Sequence, residues 1–250
     1  MITAYHRPKT LDEALTLLTQ PNTLPLGGGT LLSHGTADPI QAIDLQALGL
    51  DSLIQTGNNL ELGATLTLQA LLESEHCPTP LKSALKLEAP LNIRNSATVA
   101  GTVVACDGRS TFTSMLLAMD AKITISSKQK TEETINIGDL LPLREQVRGK
   151  LITKIIIPLN VKLAFESVAR TPADKPIVCA ALAQWNSGRT RLVLGGYGKS
   201  PMLAVDGTEA DGAEAAARNT YHEATDEWAS AEYRVDVAAT LAKRCLESIK

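Results

Sequence analysis

Two segments of small residues constrain this chain more than anything else in it. One is Gly27-Gly28-Gly29-Thr30. The other is Asn92-Ile93-Arg94-Asn95-Ser96-Ala97-Thr98-Val99-Ala100-Gly101-Thr102-Val103-Val104-Ala105-Cys106-Asp107. The longer one reads as a turn at Ile93-Arg94-Asn95 leading into a small-residue strand that bends at Ala100-Gly101 and stops at Asp107-Gly108. Small side chains at a bend let a backbone come close to something bulky. Consecutive glycines aim several N–H groups at one point, which suits a pyrophosphate. Alone, a glycine triplet is more often just a loop. Together the two segments are expected to hold one extended, phosphate-bearing ligand between them.

Bulk properties exclude several classes. The 250 residues suffice for one large domain or two small ones. The formal net charge is −3, and no basic stripe of the kind that nucleic-acid binding needs is present. No apolar run reaches the ~18 residues of a membrane helix. Met1-Ile2-Thr3-Ala4-Tyr5-His6-Arg7-Pro8 lacks the apolar core of a signal peptide, so a cytoplasmic protein is expected. Cys77, Cys106, Cys179 and Cys245 lie far apart with no Cys-x-x-Cys pair. No metal site is expected, and the thiols read as packing or surface groups. Aromatic residues make up only 3%, so the core must be aliphatic.

Thr10-Leu11-Asp12-Glu13 has the capping-box form, and Leu11, Ala14, Leu15 and Leu18 follow at helical spacing, predicting a helix over 11–19 that ends at Pro21. Strands are predicted at Leu24–Leu26, Ile43–Leu45, Leu60–Ala64, Ala121–Ile125 and Leu151–Pro158. Helices are predicted from Thr67 through Leu72, over 81–90, and around Met115–Met119. The runs Ile177–Trp185 and Thr190–Tyr197, joined by Asn186-Ser187-Gly188-Arg189, suggest a hairpin. Two helices close the chain. The last carries Val235, Ala238, Ala242, Cys245, Leu246 and Ile249 on one face. The domain boundary is placed near 158–163, and strands first with helices last indicate an α+β second domain.

The remaining motifs carry less. Leu32 stands where a third glycine of G-x-G-x-x-G would be needed, so the triplet is not a Rossmann fingerprint. Gly198-Lys199-Ser200 resembles the end of a P-loop, but Val193 occupies the position of its first glycine. His34 either touches a phosphate or flavin edge or is a solvated loop residue. Arg94 and Asn95 either fix their turn or contact a ligand. Asp107 either accepts from a ribose hydroxyl or caps a turn. No nucleophile–base or paired-carboxylate constellation stands out, so no catalytic residue is assigned. That absence favours a redox cofactor carrying the chemistry.

In order and spacing these residues resemble the FAD-binding (medium) subunit of the molybdenum hydroxylases, of the carbon monoxide dehydrogenase and xanthine dehydrogenase type. Tyr5-His6-Arg7-Pro8 with Leu11-Asp12-Glu13-Ala14 is similar to the family's opening strand and helix. Leu26–Thr30 is similar to its Ala-Gly-Gly flavin loop, and Ile43-Asp44-Leu45 and Gly63-Ala64-Thr65-Leu66-Thr67 to its next landmarks. Ile93-Arg94-Asn95 through Gly101 is similar to its second flavin loop, Ile-Arg-Asn-x-Ala-Thr-x-Gly-Gly. Leu116–Ala121 continues the match, and Ser230-Ala231-Glu232-Tyr233-Arg234 looks like its C-terminal signature.

The resemblance implies an α+β protein: a type-2 (PCMH-like) FAD-binding domain over 1–158, then a small α+β C-terminal flavoprotein domain over 163–250. It implies one non-covalent FAD contacted by Gly27, Gly28, Gly29, Thr30, Leu32, Arg94, Asn95, Thr98, Ala100, Gly101, Asp107 and Thr111. It also implies electron transfer from the [2Fe–2S] clusters of a small partner subunit, fed by a large molybdopterin-binding subunit, to an external acceptor such as a quinone, NAD or oxygen. Departures gather at the flavin. Leu31 replaces a small polar residue, Ala100 the first glycine of the Gly-Gly pair, Gly108 a common Pro and Thr111 a common Asp. Ser167 sits about where a Lys is common. A scaffold subunit that has lost its flavin is therefore an alternative, as is a stand-alone flavoprotein reductase.

Overall fold

The computed structural model describes residues 1–32, 38–129, 132–208 and 210–250. In chain order the elements are β1 (Ile2–His6), α1 (Leu11–Leu18), β2 (Thr23–Leu26), β3 (Ile40–Asp44), β4 (Leu53–Thr56), β5 (Asn59–Gly63), α2 (Leu68–Glu73), α3 (Thr79–Glu88), α4 (Leu91–Arg94), α5 (Val99–Ala105) and α6 (Thr111–Ala118). There follow β6 (Lys122–Ser126), β7 (Glu132–Asn136), α7 (Ile137–Leu143), β8 (Leu151–Pro158), β9 (Val161–Val168), β10 (Val178–Trp185), β11 (Thr190–Gly195), β12 (Met202–Gly207), α8 (Ala213–Thr220) and α9 (Ala231–Ser248).

The chain forms two compact units. The first holds Met1–Glu73, Leu91–Ala105 and Lys122–Ile157; the second holds Ser74–Pro90, Cys106–Ala121 and Pro158–Lys250. Sequence reasoning expects one passage near 158–163. The backbone instead also passes between units at 73/74, 90/91, 105/106 and 121/122. The cause is α3 and α6, which pack on each other and on strands β9–β11. All eight residues of α6 are buried, so it needs cover on every side.

In the first unit, β1, β3 and β2 make a parallel sheet in the order β1-β3-β2, and β4-β5-β8-β6-β7 make a second sheet. Thr10 caps α1 by accepting the Glu13 N–H (3.2 Å), while the Glu13 carboxylate accepts the Lys9 N–H (3.0 Å). The Thr10 cap sets the helix start, the Glu13 bond holds the residue before it, and Ala14, Leu15 and Leu18 then pack on Ile43, Leu45 and Leu151. Asp44 is buried at the end of β3, where it accepts the Tyr5 hydroxyl and the Gln46 N–H (2.9 Å) and pairs with Arg7 (3.5 Å). The hydrogen bond to Asp44 raises the Tyr5 pKa.

One expectation fails here. Residues 96–107 are not a strand: Val99–Ala105 is the helix α5, preceded by the single turn α4. Thr98 starts α5, its hydroxyl accepting the Gly101 N–H (3.1 Å) and its carbonyl the Thr102 N–H (2.9 Å). A side-chain cap of this kind satisfies donors that a helix start leaves free. It outweighs the strand preference of Val99, Thr102, Val103 and Val104.

In the second unit β12-β11-β10-β9 form an antiparallel sheet, with the β10–β11 pair closed by Asn186–Arg189. Its core joins Leu182, Leu192 and Leu194 of the sheet to Tyr221, Ala238, Leu241 and Cys245. Arg234, fully buried in α9, is held by Asp226 (2.7 Å) and by the carbonyls of Ala224 (2.7 Å) and Ala229 (3.0 Å). Gly195–Ser200 runs straight from β11 toward the strand β12, so no helix N-terminus stands behind Gly198-Lys199-Ser200 and a phosphate cradle of the P-loop kind is lacking. The four cysteines are buried and free, and burial pushes the thiols of Cys77, Cys179 and Cys245 up to about 12.

Candidate functional site

Strand β2 ends at Leu26, whose carbonyl accepts the Leu45 N–H (3.0 Å), and the chain leaves the sheet through the three glycines. Gly29 adopts a left-handed φ of 71°, which favours glycine. Among the described residues, no group accepts the N–H of Gly27, Gly28 or Gly29. Successive free N–H groups around a left-handed residue make an anion nest.

The second segment lies directly on the first. A Cβ on Gly28 would fall 1.6 Å from the Ser96 carbonyl oxygen, and one on Gly27 would fall 2.9 Å from the Thr98 hydroxyl. Thr98 in turn approaches Gly101, where a Cβ would lie 2.8 Å from the same hydroxyl. One threonine therefore braces both segments.

The two segments differ in what they offer a ligand. Around α4 and the start of α5 nearly every N–H is taken. Asn95 donates to Leu91, Ser96 and Ala97 to Ile93, Val99 to Leu66, Ala100 to Ala64, and Gly101 and Thr102 to Thr98. The first loop presents donors, and the second fixes the shape of the first. The glycines at 27 and 28 are required because the second segment fills the space that a side chain would occupy.

Gly27, Gly28, Thr98 and Gly101 are thus gathered at one place. Ala100 stands in the same stretch, but its methyl is enclosed by protein, at 8% exposure. Thr30 and Leu32 are half-buried beyond the nest, and Leu31 is 60% exposed. Arg94 donates through Nε to the Gln69 side chain (2.9 Å), and Asn95 is exposed. His34 lies outside the described residues.

Asp107 and Thr111 belong to the second unit. Asp107 accepts the Arg109 N–H (2.9 Å) and faces Lys175 at 3.7 Å. Thr111 is fully buried, its hydroxyl donating to the Ala84 carbonyl (2.7 Å) and lying 3.2 Å from the Glu88 carboxylate. Glu88 also accepts from Ser110 (2.9 Å) and from the Phe112 N–H (2.9 Å), satisfying the start of α6. Gly108 donates to Gly198 (2.9 Å), a bond that a proline could not make. Ser167 is half-buried on β9.

Sequence reasoning missed Ser96, Gln69 and Glu88. Each acts on a segment far away in sequence, and no local signal marks such contacts. Among the described residues no group of three or more His, Cys, Asp or Glu side chains is placed to hold a metal ion, and no helix is long and apolar enough to cross a membrane. Among the described residues the N–H groups of Gly27, Gly28 and Gly29 are left as donors that an anionic group could take up.

Comparison with known proteins agrees with this geometry. Residues 1–160 match the family described as the FAD binding domain in molybdopterin dehydrogenase. The chain is 29% identical to the uncharacterized protein YgfM of Escherichia coli (strain K12), over 82% of this chain and 79% of that one. It is 24% identical to the carbon monoxide dehydrogenase medium chain of Afipia carboxidovorans, over 98% and 96% of the two chains. A crystal structure of the cyanide-inactivated Cu,Mo-CO dehydrogenase shares the fold with a TM-score of 0.84 at 24% identity, covering 100% of this chain and 98% of that one. The chain belongs to the FAD-binding domain family of the molybdopterin dehydrogenases, as an FAD-binding subunit of molybdenum hydroxylase type.

Proposed function

We propose that this chain is the electron-transfer subunit of a molybdopterin-dependent hydroxylase or dehydrogenase complex, active within that complex. It receives electrons from the [2Fe–2S] clusters of a small subunit, which a large molybdopterin-binding subunit supplies, and passes them to an external acceptor. The observation that carries the reading is the row of N–H groups at Gly27, Gly28 and Gly29 that no described residue accepts, with Ser96 and Thr98 packed against the loop. Bound FAD would accept electrons singly and release them in pairs. The chain's own part is to hold the pyrophosphate on the glycine nest, and Thr98 keeps that nest in shape. The wider contact set of the resemblance, from Gly27 to Thr111, remains part of the proposal.

The test is co-expression with candidate large and small subunits. Flavin absorbance is measured first, and then its bleaching by substrate. The expected result is about one acid-releasable FAD per chain, bleached only when the iron–sulfur subunit is present. A lone subunit that turns over substrate with an artificial dye would overturn the assignment. A second reading, a scaffold that has lost its flavin, draws on the committed donors of Val99, Ala100, Gly101 and Thr102. A well-assembled complex without flavin bands would favour it.

A further inference from the structure

The second unit contains a feature that the flavin loops do not use. Arg109, Arg170, Asp174, Lys175, Ile177 and Trp228 line a pocket of about 190 Å³. All six residues belong to that unit. We propose that this pocket is a separate anion-binding site, taking the phosphate or carboxylate group of a small-molecule ligand.

Unneutralised charge on fixed groups is the basis. The Arg109 guanidinium donates through Nε to the Pro176 carbonyl (3.2 Å) and through Nη2 to the Lys175 carbonyl (2.6 Å). Its central carbon lies 4.3 Å from the centre of the Trp228 ring. Arg170 donates to the Trp228 carbonyl (3.1 Å) and stands 5.2 Å from the same ring. Backbone carbonyls and an indole are neutral partners. Among the described residues neither guanidinium pairs with a carboxylate. Lys175 adds a third positive charge, only loosely offset by Asp107 at 3.7 Å.

The pocket wall is also held in place. Asp226 accepts the Trp228 N–H (2.8 Å) and is itself gripped by the buried Arg234 (2.7 Å). Arg234 also reaches the carbonyl of Ile177 (3.4 Å). The C-terminal Ser230–Arg234 signature therefore fixes two of the six lining residues. Guanidinium groups with spare donors match the planar geometry of carboxylate and phosphate. Asp174 limits the choice of ligand: the anionic group must face the arginines, and a hydrogen-bond donor must face Asp174.

Trp228 is one of two tryptophans in the chain, so Trp185→Phe leaves it as this chain's sole indole, and subtracting the response of the same assembly carrying Trp185→Phe with Trp228→Phe isolates its signal. The Trp185→Phe protein, purified in its native assembly, is titrated with inorganic phosphate, succinate and AMP at constant ionic strength while its fluorescence is followed. We expect saturable changes. In this background Arg170→Ala should raise the apparent Kd about tenfold or more, and Arg170→Lys should do so less, as loss of a charge-assisted hydrogen bond predicts. Tighter binding of AMP than of phosphate assigns the site to a nucleotide, equal binding to phosphate alone, and tighter succinate to a carboxylate. No saturable change with any of the three, the same change with sodium chloride, or unaltered binding in Arg170→Ala would each overturn the proposal. Flavin content is read from the visible spectrum of the same samples, so loss of flavin and loss of anion binding are separate readouts.

Discussion

Gly28 and Ser96 meet backbone to backbone: a side-chain carbon on Gly28 would lie 1.6 Å from the Ser96 carbonyl oxygen. A peptide carbonyl cannot yield as a flexible side chain can. Gly28→Ala must therefore push the two segments apart and open the nest. The expected outcome is loss of bound flavin with a destabilisation of about 1–3 kcal/mol, typical of overpacking. Flavin content and a urea midpoint measure the two effects. Full flavin occupancy in the variant would show that the segments do not need this contact.

Ala100→Gly should not tighten flavin binding, although it restores the Gly-Gly pair common in the family. The Ala100 methyl is enclosed by protein, and its N–H is held by Ala64 (3.2 Å). Removing the methyl from α5 should cost about 1 kcal/mol of stability. Equilibrium titration of the apoprotein with FAD checks this. A several-fold fall in Kd would mean that the methyl does obstruct the cofactor.

Thr111→Asp, also a return to the usual family residue, should destabilise severely. Thr111 is fully buried 3.2 Å from the Glu88 carboxylate. Among the described residues Glu88 has no ion-pair partner that could also meet a second carboxylate there. An uncompensated buried charge costs about 3–5 kcal/mol. Thermal unfolding of the variant alone and together with Glu88→Gln separates the causes: the double variant should recover part of the loss. Equal melting of the single variant and wild type would disprove the like-charge account.

The acid limb of stability should depend on Asp206. Arg189 grips it through two hydrogen bonds of 2.8 Å, and Arg191 adds a third of 2.8 Å. The bond from Arg189 is the largest influence, and although burial opposes it, the Asp206 pKa is held below its ordinary 3.8. A depressed carboxylate stabilises the fold above its unfolded pKa, and that contribution fades as pH falls through the folded value. Asp206→Asn should therefore be clearly less stable than wild type at pH 7. The gap should narrow below about 3.8. Urea midpoints across pH 7 to 3 test this, and a gap of constant size would exclude the mechanism.

Locally encoded elements were readable from the chain. The Thr10–Glu13 box announced α1, the spacing of Val235, Ala238, Ala242 and Cys245 announced α9, and Gly188 in a four-residue link announced the β10–β11 hairpin. The stretch 99–105 misled because its β-branched residues favour a strand, and only the hydroxyl of Thr98 decides otherwise. Edge strands such as β4 and β12, short and partly exposed, carry too weak an alternation to be seen. In the candidate site the glycines were visible, but their reason was not. They clear room for Ser96 and Thr98, a fact of tertiary pairing. Likewise Gly108 reads as a departure from a family proline until its bond to Gly198 is known.

The repeated passage of the backbone between the two units bears on modularity. Residues 74–90 and 106–121 lie between stretches of the first unit yet belong to the second. A fragment cut at residue 158 would carry α3 and the wholly buried α6 without β10 and β11, against which α6 packs. The flavin-loop unit is therefore not a cassette that a single crossover can transplant. A chimera with another family member has to exchange the loops between Leu91 and Ala105 while leaving both embedded helices with their native sheet.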